Sequence, residues 1–211
     1  MAPTRATSTV LTALAVCGML TLTGCGGNGQ AAPSASNSAS ATAAPAPDTR
    51  PTPASSTAPA RNIPVPELPE AAKKNTKEGF EAFVRHYIAL LDYAYQTGDT
   101  KPALAVGDAE CGMCGTITKD ASTVGDESWL VGGELSPSDL SADPTPDIHG
   151  IWLAYLKLRQ QPFTDYKSSS PTPTPASTSK GGDSSLLLAR ARFVSGAWQM
   201  FDLGVPKGTR R

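Results

Sequence analysis

Cys111 and Cys114, separated by two residues, are the side chains of this 211-residue chain with the clearest potential for chemistry. Outside the cytoplasm such a pair tends to oxidise, and the small ring fits the start of a helix. A structural disulfide is therefore one interpretation. A thioredoxin-like redox pair is another, although the neighbouring Asp108 and Glu110 disfavour the thiolate that redox chemistry needs. A zinc site is a third, and it requires two further ligands.

The two histidines, His86 and His149, are the candidates for those ligands. Neither has the spacing to a partner that zinc motifs show, so we predict no metal and no cofactor. His86 and Tyr87 are instead candidates for lining a pocket. Asp92 with His86 or Tyr95 would imitate the acid–base pair of an isomerase, but helical spacing places Asp92 on the polar face.

Two tryptophans, Trp152 and Trp198, are further pocket candidates, and Trp129 is a third aromatic residue of the same kind. Aromatic residues in strands belong more often to the core. If a concave sheet is only partly covered by a helix, the remaining space is a pocket for an apolar small molecule.

One long amphipathic helix, predicted over residues 75–98, is the element that must position these groups. Asn75 and Glu78 predict its start as a capping box, and Gly98 predicts its end. An aromatic face this wide requires other elements against it. Its apolar residues recur at spacings of three and four along one face: Phe80, Phe83, Val84, Tyr87, Ile88, Leu91, Ala94 and Tyr95.

The chain after this helix is expected to form mainly strands, following a second helix from Cys114 to Ala121 or Val124. A helix is the rival interpretation for residues 151–160. Helices followed by antiparallel strands indicate an α+β fold with the long helix packed on a curved sheet. The expected strands are 128–131, 149–167 with an interruption at 160–162, and a hairpin of 186–193 and 197–203; residues 136–146 and 168–182 are expected to be loops.

The first segment is predicted to be a targeting signal. Arg5 precedes an apolar run over residues 10–22 that is too short to span a bilayer. The run ends in Leu-Thr-Gly-Cys at 22–25, which resembles the lipobox of bacterial lipoproteins at all four positions. The resemblance implies cleavage before Cys25, a diacylglyceryl thioether with palmitate-type acyl chains on its sulfur, and anchoring on the extracytoplasmic face of the cell membrane. An ordinary cleavable signal is the alternative.

Composition predicts how the rest of the chain is divided. Clustered Ala, Ser, Thr and Pro are typical of disordered segments. The predicted parts are a signal peptide (1–24), a lipidated, disordered tether (25–62), a single α+β domain (63–205) with a disordered loop insertion (168–182), and a basic tail (206–211).

The order of features resembles a known family. After the lipobox and the tether come a Pro-rich stretch at 64–69, a Gly-Phe-Glu-Ala-Phe-Val helix opening at 79–84, the Cys-x-x-Cys pair and Gly132-Gly133. This order resembles actinobacterial lipoproteins that carry an uncharacterised domain of unknown function. Their layout is similar to the cone-shaped fold of nuclear transport factor 2, ketosteroid isomerase and SnoaL-like proteins. The resemblance implies that fold and a possible sheet-paired homodimer, and it carries over no catalytic residues.

These features predict an exported lipoprotein whose domain binds an envelope protein or an apolar small molecule without catalysis. The net charge of −1 and the lack of a basic stripe argue against nucleic acid as a partner. The alternative is a small-molecule enzyme of the ketosteroid isomerase or SnoaL-like kind, with a pocket over the long helix. A redox lipoprotein that uses Cys111 and Cys114 is a third hypothesis.

Overall fold

The computed structural model describes residues 48–108, 111–168 and 172–206. Its helical segments are a 3₁₀ turn (Glu70–Lys73), α1 (Lys77–Thr97), α2 (Lys101–Val106) and α3 (Gly112–Ala121). Its strands are β1 (Ser128–Gly132), β2 (Leu135–Ala142), β3 (Ile151–Gln160), β4 (Phe163–Lys167), β5 (Thr174–Ser179), β6 (Gly182–Asp183), β7 (Leu187–Val194) and β8 (Ala197–Gly204).

The strands form two antiparallel sheets. One has the order β1-β4-β5, and the other has the order β2-β3-β7-β8, with the short β6 also paired to β3. The division occurs at Gln161 and Pro162, between β3 and β4. Pro162 has no N–H to donate to a ladder, and its carbonyl accepts a hydrogen bond from the Gly133 backbone N–H at 3.1 Å. The chain therefore leaves the first sheet at this point and pairs with β1 instead.

The predicted fold class, an α+β cone in which a long N-terminal helix packs on one curved antiparallel sheet, is wrong. The chain is sheet-rich, and its eight strands belong to two sheets. α1 makes most of its strand contacts with β2, which is an edge strand. The Asp92 carboxylate accepts from the Leu135 N–H at 2.8 Å, and Glu81 accepts from the Ala142 N–H at 3.1 Å. The helix thus caps the edge of a sheet.

The predicted start of α1 also needs correction, whereas its end is confirmed. Thr76, and not Asn75, is the N-cap, and its side chain accepts from the Gly79 N–H. The Asn75 side-chain oxygen accepts instead from the Trp152 indole N–H at 3.0 Å. Gly98 ends the helix at φ 76°, and a side chain there would collide with the Val124 carbonyl.

The hydrophobic core joins buried side chains of α1 with buried side chains of β3, β7 and β8. Trp198 is at the centre of an aromatic cluster, and such pairs contribute about 0.5–1.5 kcal/mol each beyond their burial. Its ring centroid lies 5.2 Å from that of Phe80, 5.8 Å from those of Phe83 and Trp152, and 5.0 Å from that of Phe193.

Two segments that were expected to be loops contain strands. Residues 136–146 include most of β2, and the predicted disordered insertion 168–182 contains β5 and the start of β6. Their Ser- and Pro-rich sequences carry little apolar alternation, so pairing with a neighbouring strand decides their conformation. The expectation of structureless chain is therefore wrong for residues 174–179.

The predicted tether ends too late in the sequence. Residues 48–62 belong to the described structure and include a short turn, in which Thr52 pairs with Arg61 and Ser55 with Ala58. The predicted signal peptide, Cys25 and residues 207–211 of the basic tail lie outside the described residues.

Candidate functional site

The candidate site is an open cleft of about 340 Å³ where the helices separate from the five-stranded sheet. This volume lies at the small end of the range for ligand pockets, roughly 300–1,000 Å³. The strand period places Leu158 and Gln160 on the same face as the buried Leu156. The cleft is therefore continuous with the core.

Apolar side chains form the floor of the cleft. Tyr95 comes from α1, Ile117 from α3, Leu135 from β2 and Leu158 from β3. Ile117 is buried and the other three are half-buried. Because four different elements supply these residues, a ligand in the cleft would contact both layers of the fold.

Polar groups form the rim. Gln160, Ser179, Asp183 and Ser184 line the opening together with Gly181 and Gly182. Gly181 has a φ of 65°, and a side chain there would collide with the Gln160 carbonyl. The glycine thus lets the β5–β6 connection lie against the end of β3, which brings these polar groups together.

The charges at the rim are balanced. Asp183 accepts two hydrogen bonds from Arg159, at 2.7 and 3.0 Å. These bonds hold the pKa of Asp183 below its ordinary value. Burial, with a smaller contribution from Asp120, raises the pKa of the Tyr95 phenol, so its hydroxyl stays protonated. The cleft therefore presents a paired carboxylate and neutral hydroxyl and amide groups, which suit a neutral ligand.

The sequence-predicted pocket residues lie elsewhere. His86 is only 8% exposed and forms a hydrogen bond with the backbone of Glu67, and burial is the main cause that lowers its pKa. This hydrogen bond holds the segment before the 3₁₀ turn against α1. Tyr87 is in the core beside Gly107, and burial raises its pKa to about 12. Neither residue lines the cleft.

Asp92 is half-buried, which corrects the expectation of a solvated carboxylate on the polar face. Its oxygens accept from the Leu135 N–H and from the Gln96 side-chain amide, at 2.8 and 2.6 Å. Asp92 lies six positions after His86, which places the two side chains roughly 120° apart around the helix axis. The structure does not bring them together as an acid–base pair.

The prediction that Trp152 and Trp198 line a pocket is wrong. They are 5% and 4% exposed and belong to the hydrophobic core. The Trp152 indole N–H has Asn75 as its acceptor, whereas that of Trp198 has no hydrogen-bond partner among the described residues.

Cys111 and Cys114 form a disulfide at the start of α3, with their Cα atoms 5.2 Å apart. Both residues are buried, at 1% and 2% exposure, and belong to the core. Thiol–disulfide exchange requires a thiolate to reach a sulfur atom. Because both cysteines are buried, an attacking thiolate has poor access to their sulfur atoms, which favours a structural role for this disulfide over a redox role.

Within residues 48–108, 111–168 and 172–206, no group of three or more His, Cys, Asp or Glu side chains is arranged to hold a metal ion. None of the helices in those ranges combines the length and apolar character that a membrane crossing needs.

Sequence reasoning missed most of the cleft. Tyr95 was placed on the apolar face of the helix and considered as a partner for Asp92, and Gln160, Ser179, Asp183 and Ser184 were not singled out. The one available signal was the Gly181-Gly182 pair, which marks a close approach of the backbone. The polar rim depends on long-range pairing between β3 and β6, which no local pattern reveals.

The fold and the cleft define a small, sheet-rich domain with one disulfide and an open site between its helical and sheet layers. The chain belongs to a family of unknown function, DUF6318, which matches residues 50–203. This match includes residues 50–62, which had been assigned to the tether. No curated protein matches the sequence.

Proposed function

We propose that this chain is a lipid-anchored protein on the extracytoplasmic face of the cell membrane, and that its folded part binds a small ligand without transforming it. The cleft between the helices and the five-stranded sheet is the observation that supports ligand binding. The proposal includes a second kind of partner, an envelope protein that inserts a side chain into the same cleft.

The chemistry of the cleft supports binding of a neutral, amphipathic molecule. The floor of Ile117, Leu135 and Leu158 favours a ligand with an apolar part, because binding removes apolar surface of both the ligand and the cleft from water. The lining of the cleft also offers the Gln160 amide and the Tyr95 hydroxyl. A ligand with one or two hydroxyl or amide groups would satisfy them.

The positions of the titratable groups support binding without catalysis. His86 is engaged by the backbone of Glu67, and Asp92 by Leu135 and Gln96. Asp183, which does line the cleft, is paired to Arg159 and held ionised, so it is poorly suited to exchange protons.

Two observations support the location. The Leu-Thr-Gly-Cys sequence at 22–25 follows a short apolar run, as in exported lipoproteins. A disulfide between Cys111 and Cys114 fits an oxidising compartment outside the cytoplasm. Multiple acyl chains on Cys25 would supply stable anchoring, because a single chain binds only marginally.

Metabolic labelling with an alkyne analogue of palmitate tests the anchor. The full chain should incorporate the label, and Cys25→Ser should abolish incorporation. Cys17→Ser is the matched control, because Cys17 lies in the segment that cleavage removes. Equal labelling of the Cys25→Ser variant would overturn the anchor.

Extraction of bound small molecules tests the ligand. Organic extracts of the full chain purified from its membrane should contain a compound that is depleted in Gln160→Trp, which fills the cleft. Gln161→Trp is the control, because the neighbouring Gln161 is exposed and does not line the cleft. Identical extracts from both variants would contradict a ligand in this cleft.

A further inference from the structure

Trp129 and Tyr166 form an aromatic surface on the three-stranded sheet. Their rings stack with centroids 6.0 Å apart and an angle of 14° between the planes. Trp129 is only 2% exposed although it lies on β1, an edge strand. Its indole N–H donates to the Ser55 carbonyl at 2.7 Å. The surface is therefore covered by a segment that lies 74 residues earlier in the chain.

The covering segment, Thr52–Arg61, is a self-contained turn. Backbone hydrogen bonds join Thr52 to Arg61 in both directions at 2.8 Å, and Ser55 pairs with Ala58. From Thr52 to Ala60 the sequence is Thr-Pro-Ala-Ser-Ser-Thr-Ala-Pro-Ala, which carries no charge. The backbone hydrogen bonds of these four residues are therefore made within the turn and do not depend on the aromatic surface.

Few polar contacts hold the turn in place. Among the described residues, the turn makes two polar contacts with the β1 region: the Trp129–Ser55 hydrogen bond and an ion pair between the exposed Arg61 and Asp126 side chains at 3.5 Å. An exposed pair contributes little. The 52–61 turn therefore resembles a ligand that is bound to Trp129 and Tyr166.

We propose that Trp129 and Tyr166 form a docking site for uncharged Ala-, Pro- and Ser-rich turns, and that the 52–61 turn of a second copy of this chain occupies it by reciprocal exchange. The exchange preserves every contact of the turn in both copies, which is the condition for a low-cost domain swap. It also keeps Trp129 covered, whereas release without exchange would expose a large aromatic surface.

The connection after the turn provides the hinge. Asn62 has a φ of 55°, a conformation that a non-glycine residue rarely adopts. The next described contact with α1 is made by Glu67, whose backbone forms a hydrogen bond with His86. Glu67 lies five positions after Asn62, which gives a reach of roughly 17 Å when the chain is extended. The turn can thus reach a neighbouring copy while the rest of the fold stays intact. This inference does not depend on the lipid anchor or on the cleft.

Photo-crosslinking between two different full-length chains tests whether the turn of one copy docks on the site of another, the step that reciprocal exchange requires in both directions. The probe chain carries p-benzoylphenylalanine in place of the half-buried Ala54 and also Trp129→Ala, so that its own site is broken. The acceptor chain has an intact site and a heavy-isotope label. We expect crosslinked heterodimers that increase with acceptor concentration, with the attachment mapped to β1 or β4 beside Trp129.

An acceptor with Trp129→Phe supplies the specific control. Phenylalanine keeps a ring against Tyr166 but removes the N–H donor to Ser55, so the heterodimer yield should fall about fivefold, as expected for one neutral hydrogen bond. A probe chain with Trp129→Phe replaces the Trp129→Ala version if the latter does not fold. Heterodimers that are absent at every concentration, or whose attachment maps elsewhere, would overturn the proposal.

Discussion

The carboxylate of Asp92 on α1 accepts a hydrogen bond from the backbone N–H of Leu135, the first residue of β2, at 2.8 Å. Glu81, three helical turns earlier, accepts from the Ala142 N–H at the other end of the same strand. The opposite edge of this sheet is covered too, because the Asp108 N–H donates to the Met200 carbonyl on β8. Side chains and loop backbone thus protect both edges of the five-stranded sheet from pairing with other chains.

Loss of the Asp92 carboxylate should destabilise the fold. Asp92→Ala leaves the Leu135 N–H without its acceptor, and we expect a decrease of about 1–3 kcal/mol in the free energy of unfolding, measured by urea denaturation. Asp92→Asn keeps an oxygen in place and should cost less. Glu127→Gln, at an exposed position, is the control. An Asp92→Ala variant as stable as that control would contradict the capping role.

The same residue predicts a pH dependence. Burial raises the pKa of Asp92 above its ordinary value of 3.8. The native state therefore holds this proton more tightly than the unfolded chain, and the free energy of unfolding falls as the pH rises from 3.8 through the folded-state pKa. Asp92→Asn removes this titration. The free energy of unfolding of the variant minus that of the wild type should therefore increase as the pH rises from 3.8 through the folded-state pKa of Asp92. A constant difference would show that burial does not perturb this carboxyl group.

His86 predicts a pH dependence of the opposite sign. Burial lowers its pKa below 6.5, so the unfolded chain binds the proton more readily than the native state does. The free energy of unfolding should fall as the pH decreases from 6.5 through the folded-state pKa, and His86→Gln should flatten this slope. His149→Gln is the matched control, because His149 is exposed in the β2–β3 loop. Equal slopes in both variants would contradict the buried, neutral state of His86.

The two core tryptophans should respond differently to the same substitution. Trp152→Phe leaves the Asn75 side-chain oxygen without its donor, whereas Trp198→Phe removes an N–H that has no partner among the described residues. We expect Trp152→Phe to cost more stability, by about 1 kcal/mol, in thermal or urea unfolding. A larger cost for Trp198→Phe would indicate that its indole N–H is satisfied in solution.

The disulfide should be intact and resistant to reagents. Without reductant, the denatured protein should weigh two hydrogens less than the reduced chain, and a bulky thiol-reactive maleimide added after mild reduction should label Cys111 and Cys114 only after unfolding. The double serine variant should lose about 2 kcal/mol of stability, because a loop this short contributes little on closure. Rapid reduction and labelling in the native state would support the redox hypothesis instead.

Local patterns were sufficient for the elements with strong periodicity. The 186–193 and 197–203 hairpin is confirmed as β7 and β8, with Ser195 and Gly196 in the left-handed conformation that its turn requires. The strand interpretation of 151–160 is confirmed as β3, although its Leu, Ala, Lys and Arg residues also favour helix. Burial of alternate residues against the core decides in favour of the strand.

Long-range pairing explains what the sequence did not reveal. β2 contains Pro137 and a left-handed Asp139, and β5 contains Pro175 in a run of Ser and Thr, so neither resembles a strand. The sheets divide at Pro162, and periodicity contains no information about which strands share a sheet. His86 was interpreted as a pocket residue, but it forms a hydrogen bond with the Glu67 backbone. Asp92 was placed on the polar face, but it accepts from the Leu135 N–H and from the Gln96 side chain.

Native mass spectrometry of the full chain, purified in detergent micelles, tests the ligand-binding part of the proposed function most directly. We expect the wild type to retain a small molecule whose mass disappears on denaturation. Gln160→Trp, which fills the cleft, should lose this mass, and Gln161→Trp should keep it. A wild type without added mass, or one whose ligand is retained equally by Gln160→Trp, would contradict the assignment of the cleft as a ligand site.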